Sequence, residues 1–156
     1  MIFAIDPGPE TSGWVVFDRG TVVGKGIDAN PNVMSAARQV WGERDPPMLA
    51  IEMIASYGMA VGAEVFETCV WIGRFLEAHE RACGQCHRVF RLEVKRALCN
   101  DSRANDANIR KAILDRFGGG GAAIGKRSAP GPLYGVTGHM WAALAVAVTV
   151  EGYRAP

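Results

Sequence analysis

The chain opens on an unbroken apolar run, Ile2-Phe3-Ala4-Ile5, that ends on Asp6 and is stopped at once by Pro7-Gly8-Pro9. A run of this length bounded by turn residues predicts a buried strand over Met1–Asp6. Gly13-Trp14-Val15-Val16-Phe17-Asp18 predicts a second strand, and Asp18-Arg19-Gly20-Thr21 a hairpin turn into a third over Val22–Ile27. From Asn30 to Trp41 the spacing of Val33, Ala36, Ala37 and Val40 predicts a helix, with Asn30 or Asn32 as its cap. Pro46-Pro47 then introduces Met48-Leu49-Ala50-Ile51-Glu52, nearly continuous in apolar residues, as expected of a central strand covered on both faces. Like the first strand, it ends in an acid.

The second half alternates in the same way. Ala60 to Ala82 predicts a long helix in which Val61, Val65, Phe66, Cys69, Val70, Trp71, Ile72 and Phe75 cover more than one stripe. One side is expected to face the sheet, and the other to be buried against a second subunit. His87–Leu92 predicts a fifth strand, Glu93–Cys99 a short helix, and Asn100–Asn105 a polar turn. Ala104–Phe117 predicts a further helix, with Asn105 and Asp106 as its capping residues. Gly118–Gly121 ends it, the Gly- and Pro-rich stretch to Thr137 predicts a mobile loop, and Gly138–Val150 predicts a closing, alanine-rich helix. No repeat is visible, so residues 1–156 read as one α/β domain.

At 156 residues and 49% hydrophobic composition the chain is large enough for one sizeable core. A net charge of +1 does not by itself announce a polyanionic partner, but the distribution of charge does more. Between Arg88 and Arg127 ten basic residues stand against four acids, a local excess of +6, while the remainder of the chain is −5. That asymmetry is expected of a phosphate-binding face, although a solvated helical surface produces it too. No apolar run is long enough to span a bilayer, and Met1 leads directly into the first strand. A cytoplasmic chain with Cys69, Cys83, Cys86 and Cys99 reduced is the expectation.

Acids at the C-terminal ends of buried strands lie at the sheet edge where α/β folds bind metals and phosphates. Taken alone, Asp6 reads equally well as a turn-capping aspartate. The element order, three antiparallel strands, helix, strand, long helix, strand and further helices, is that of the RNase H-like fold: a five-stranded mixed sheet, three strands antiparallel then two parallel, flanked by helices. Here the sequence also resembles a family. Ile5-Asp6-Pro7-Gly8 with Thr11-Ser12-Gly13-Trp14 is similar to the first motif of RuvC-type Holliday junction resolvases, and Ile51-Glu52 to the second. Glu93-Val94-Lys95 with Arg103-Ala104-Asn105-Asp106 resembles the family's basic stretch, and His139 to Ala147 its last helix. Tyr57-Gly58-Met59 and Gly131-Pro132-Leu133-Tyr134-Gly135 resemble the short resolvases encoded by bacteriophages.

The resemblance implies a structure-selective endonuclease that cuts four-way or branched DNA by two-metal phosphodiester hydrolysis, with Mg²⁺ or Mn²⁺ on carboxylate oxygens. It implies Asp6, Glu52 and His139 as catalytic and metal-binding residues, Asp6 shared between two ions. The last helix departs from the family pattern. Its second ligand, three residues after the first and on the same helix face, is normally Asp and is here Ala142. The chain therefore works with three ligands and water, is attenuated, or carries at Ala142 an introduced inactivating change; the alternative function is a branched-DNA binder that does not cut. His139 has the alternative reading of a capping or core histidine. Lys95, Arg96, Arg103, Arg110, Lys111, Lys126 and Arg127 are the expected phosphate contacts. Tyr57 is a substitute for the aromatic residue that opens the junction in the family, since Ala55 stands where it is expected. A homodimer follows from symmetric cleavage of two strands. Cys83-Gly84-Gln85-Cys86-His87 fits a haem-attachment pattern and, with His79, a zinc pattern. Neither is adopted, for want of an export signal and of a second cysteine pair. An actin-like nucleotide-binding domain also begins with a strand, Asp and Gly, but needs two lobes of this size.

Overall fold

The computed structural model describes residues 1–56, 58, 60–82 and 86–154. Tyr57 and the Cys83–Cys86 pattern's first cysteine lie outside the described residues, as does Met59 of the phage-like run. Strand β1 (Ile2–Asp6) lies at the centre of a five-stranded sheet with β2 (Thr11–Asp18) and β3 (Thr21–Ala29) on one side. On the other side lie β4 (Met48–Met53) and β5 (Cys86–Phe90), giving the order β3-β2-β1-β4-β5. β1, β2 and β3 pair antiparallel; β4 is parallel to β1, and β5 to β4. This is the mixed sheet that the element order predicts.

The strict two-residue alternation of strand side chains divides the core into two layers. Phe3 and Ile5 of β1 join Leu49 and Ile51 of β4 against helices α1 (Asn30–Trp41) and α2 (Ala63–Ala82). Ile2 and Ala4 join Ala50 against the opposite layer, α3 (Arg91–Cys99), α4 (Asp106–Arg116) and α6 (Met140–Arg154), with the short α5 (Gly120–Ile124) beside α4. α6 is apolar around its circumference, and every residue from Ala143 to Val150 is buried. Its alanines keep it thin, and it packs across β1, β2 and β4.

Four expectations are corrected. Asn30 does not cap α1: Ala29 occupies the cap position without a side-chain bond, and the Asn30 side chain is fully buried. It instead donates to the Gly8 carbonyl at 2.9 Å and accepts from the Ser12 hydroxyl at 2.5 Å, pinning the turn after β1. α2 begins at Ala63 rather than Ala60; within the single chain it buries the stripe Thr68, Ile72, Phe75, Leu76 and His79, and Phe66, Cys69 and Val70, on the side expected to meet a second subunit, are exposed. The fifth strand ends at Phe90, so Arg91 opens a helix rather than closing a strand. The stretch after Phe117 is partly ordered, with α5 followed by a two-residue hairpin, β6 (Gly125–Lys126) and β7 (Ala129–Pro130). Among the described residues no helix is long and apolar enough to cross a membrane.

Candidate active site

Alternation decides where the two strand-end acids go. Asp6 follows Ile2 and Ala4 onto the face covered by α6, and Glu52 follows Met48 and Ala50 onto the same face. The parallel register pairs Ile2 with Met48, Ala4 with Ala50 and, last, Ile5 with Ile51, so Asp6 and Glu52 are the next residues of the two neighbouring strands. Both side chains are mostly buried, 16% and 14% exposed. They open into a cleft of about 760 Å³ that His139, Ala142, Trp141, Arg91 and Asp106 also line.

His139 enters from the residue before α6. Its Nδ1 lies 2.9 Å from Asp6 Oδ2, the contact on which the antiparallel half of the sheet and α6 converge. The approach depends on Gly13, the β2 partner of Asp6 in the strand register. A Cβ on Gly13 would sit 2.5 Å from the His139 carbonyl carbon and 2.7 Å from its Cβ. Of the two alternative readings of His139, the core one fails, because the side chain is largely exposed; the residue does stand directly before α6, its carbonyl accepting from the Ala143 N–H, and its imidazole is in contact with Asp6.

Two residues that sequence reading left out of the site complete it. Arg91, at the first position of α3, places Nη1 3.3 Å from Glu52 Oε1 and Nη2 2.5 Å from Asp106 Oδ1. Asp106 thus does more than begin a helix. Asn105 is the residue that caps α4, through reciprocal 3.0 Å bonds with Asn108. A basic residue directly after a β strand that ends beside an acid-terminated strand was the available signal for Arg91.

Burial dominates the electrostatics. Desolvation pushes the Glu52 carboxyl up to about 7; Arg91 opposes the rise, while Asp6 and Asp106 add to it. Asp6 is raised in the same direction by burial, with the His139 hydrogen bond and the His139 and Arg91 charges working against it. For Arg91 burial disfavours the charge, but Glu52, Asp106 and Asp6 more than offset it and hold the guanidinium above its ordinary value. Three acids therefore share the cleft with two guanidinium groups, and one of these, Arg110, is drawn over the Trp141 ring at 4.6 Å. Desolvated, mutually repelling carboxylate oxygens are the donor chemistry of a hard divalent cation, so the residue set fits one. Among the described residues no three His, Cys, Asp or Glu side chains are gathered on one metal position: Glu52 is turned to Arg91 and Asp6 to His139.

The expected phosphate contacts fall into four places. Arg110 lines the cleft. Lys95 and Arg96 lie on α3 and Arg103 in the turn after it, paired loosely with Asp101 at 3.9 Å. Lys111, next to Arg110, faces a different groove with Cys99 and Ala104, and is neutralised by Asp115 at 2.5 Å. Lys126 and Arg127 are exposed on the β6–β7 hairpin and its turn. His79 is fully buried in the other layer, taking a hydrogen bond from the Leu49 N–H at 3.2 Å, which removes it from any zinc set.

No protein-family model and no curated protein matches the sequence. Solved structures do match the fold. Thermus thermophilus RuvC in complex with a Holliday junction substrate superposes with a TM-score of 0.71 at 18% identity, covering 98% of this chain and 93% of that one. A second structure of Thermus thermophilus RuvC gives 0.67 at 19% identity, over 98% and 94% of the two chains. At such identity the likeness establishes the fold, which is RuvC-like and of the RNase H class.

Proposed function

We propose that the chain is a divalent-metal-dependent endonuclease that cuts four-way or otherwise branched DNA, of the short phage-encoded kind, acting as a homodimer. The observation that carries this reading is the convergence of Asp6 and Glu52, from the ends of neighbouring parallel strands, on one cleft with His139 in contact with Asp6. The likeness of the fold to a protein solved with a Holliday junction substrate supports the choice of substrate.

Asp6, Glu52 and His139 are the residues that would hold Mg²⁺ or Mn²⁺. A bound pair of such ions supplies an activated water and neutralises charge at the scissile phosphate and leaving oxygen. The chain's own groups do the rest. The buried floor of α6 fixes His139 against Asp6, so the site is built on rigid elements. Arg91 restrains the Glu52 carboxylate and keeps part of its charge balanced before substrate arrives. Arg110, Lys95, Arg96 and Arg103, carried by α3, α4 and the turn between them, engage phosphates without reading bases, so affinity falls steeply with salt. Phe66 and Val70, four residues apart on the exposed face of α2, form the surface on which a second copy of the chain docks.

Ala142 favours a second reading, a branched-DNA binder that does not cut, because the helix turn after His139 offers only a methyl group to the cleft. Asp6→Asn and Glu52→Gln separate the two. Both variants are expected to bind a synthetic four-way junction in chelator as the parent does, and to lose nicking in Mg²⁺ or Mn²⁺. A parent chain that binds and never nicks establishes the second reading.

A further inference from the structure

We propose that Asp106 supplies from α4 the third carboxylate of the cleft, taking the part that Ala142 leaves unfilled on α6. This inference deepens the reading of the cleft as a metal-dependent nuclease site and rests on it. Ala142 stands three residues after His139, so the two share a helix face, and both line the cleft. Asp106 lines the same cleft from the first turn of α4.

A first-turn aspartate ordinarily needs no explanation beyond its favourable interaction with the helix dipole. Asp106 is different in where its carboxylate is held. The capping bonds of α4 are already made by Asn105 and Asn108. Asp106 is instead tied to Arg91, and the same guanidinium holds Glu52 with its other terminal nitrogen. One planar fork thus carries the Asp106 and Glu52 carboxylates side by side at the cleft. The side chain of Asp106 is 82% exposed, against 14% for Glu52 and 16% for Asp6. Apart from its bond to Arg91, it therefore faces solvent and the cleft, while the two strand-end acids are buried. Its charge is also felt at both of them, which sets it electrostatically within the site.

The test is Mn²⁺ binding to the whole chain, read by calorimetry and by the electron paramagnetic resonance of free Mn²⁺. Four proteins are compared: the parent, D106N, A142D and the double variant A142D/D106N. D106N is expected to weaken Mn²⁺ binding about tenfold or more, with an unchanged melting temperature because the side chain is exposed. A142D/D106N is expected to recover most of that loss, since an acid on α6 makes the one on α4 dispensable. D106N binding Mn²⁺ within twofold of the parent overturns the proposal, as does a D106N loss that A142D leaves untouched, or a parent that binds no Mn²⁺. Junction nicking is scored separately. A parent that binds Mn²⁺ through Asp106 yet nicks no junction removes the nuclease reading and leaves this inference standing. Nicking that is indifferent to D106N, with Mn²⁺ affinity equally indifferent, does the reverse.

Discussion

Gly13 is the residue whose smallest change should do most to the site without touching an ionisable group. In Gly13→Ala the new Cβ would lie 2.5 Å from the carbonyl carbon of His139, 2.6 Å from its oxygen and 2.7 Å from its Cβ. Carbon atoms settle at roughly 3.5–4.0 Å, so the strand and the start of α6 must part by about 1 Å. The obstructing atoms are mostly backbone, and β2 is locked into the sheet, so the segment at His139 is the part that moves. Adding that displacement to the 2.9 Å contact between His139 and Asp6 carries it beyond hydrogen-bond range. Overpacking of this kind costs about 1–3 kcal/mol of stability, and a 1 Å misplacement at a reacting centre costs roughly 100-fold in rate. The assay is single-turnover nicking of a synthetic four-way junction, alongside thermal melting. Gly13→Ala should fold, melt lower, and cut about 100-fold more slowly. Because the effect runs through His139, the double variant with His139→Ala should cut no more slowly than His139→Ala alone. Parent-like melting and cutting by Gly13→Ala, or losses that multiply in the double variant, would refute the reasoning.

Two further outcomes follow from the electrostatics and the exposed face. The Glu52 carboxyl stands at about 7 in the folded chain against an ordinary 4.5, so between those values the native state holds a proton that the unfolded state has released. Stability should therefore fall as pH rises through that window, by at most about 3 kcal/mol from this group. Mn²⁺ should raise the melting temperature more at pH 8 than at pH 5, and Glu52→Gln should flatten the dependence; an unchanged slope in that variant would contradict the assignment. On α2, Phe66 is 61% and Val70 53% exposed. Phe66→Glu should convert a dimer to a monomer in sedimentation analysis with little change in melting, and a dimer that survives it would move the interface elsewhere.

Much of the frame was legible because burial and strand period leave a strong mark. The apolar runs into Asp6 and Glu52 marked two buried strands; that both acids share a face follows only from the register of the pair, Ala4 beside Ala50. What was not legible depends on contacts between elements far apart in the chain. Arg91 reads locally as the continuation of a strand, and only the junction of β5, α3 and α4 turns its guanidinium onto Glu52 and Asp106. Asn30 sits in a normal capping position by sequence, yet it is the first residue of α1 and its amide bonds to the turn after β1 rather than to the helix start. Exposed Phe66 and Val70 look like core residues in composition, because a periodic apolar stripe reads the same in sequence whether it faces the interior or solvent. The glycine-rich stretch after Phe117 hid α5 and the small hairpin, elements too short to leave a period.

The central claim is that Asp6, Glu52 and His139 form a cutting site for branched DNA. The most direct measurement compares a synthetic four-way junction with a linear duplex of the same sequence, each incubated with the chain in Mg²⁺ and in Mn²⁺. The account predicts paired nicks in the junction, an intact duplex, and no nicks in either with Asp6→Asn. A junction that is bound and left intact in Mn²⁺, or cut equally well by Asp6→Asn, would contradict it.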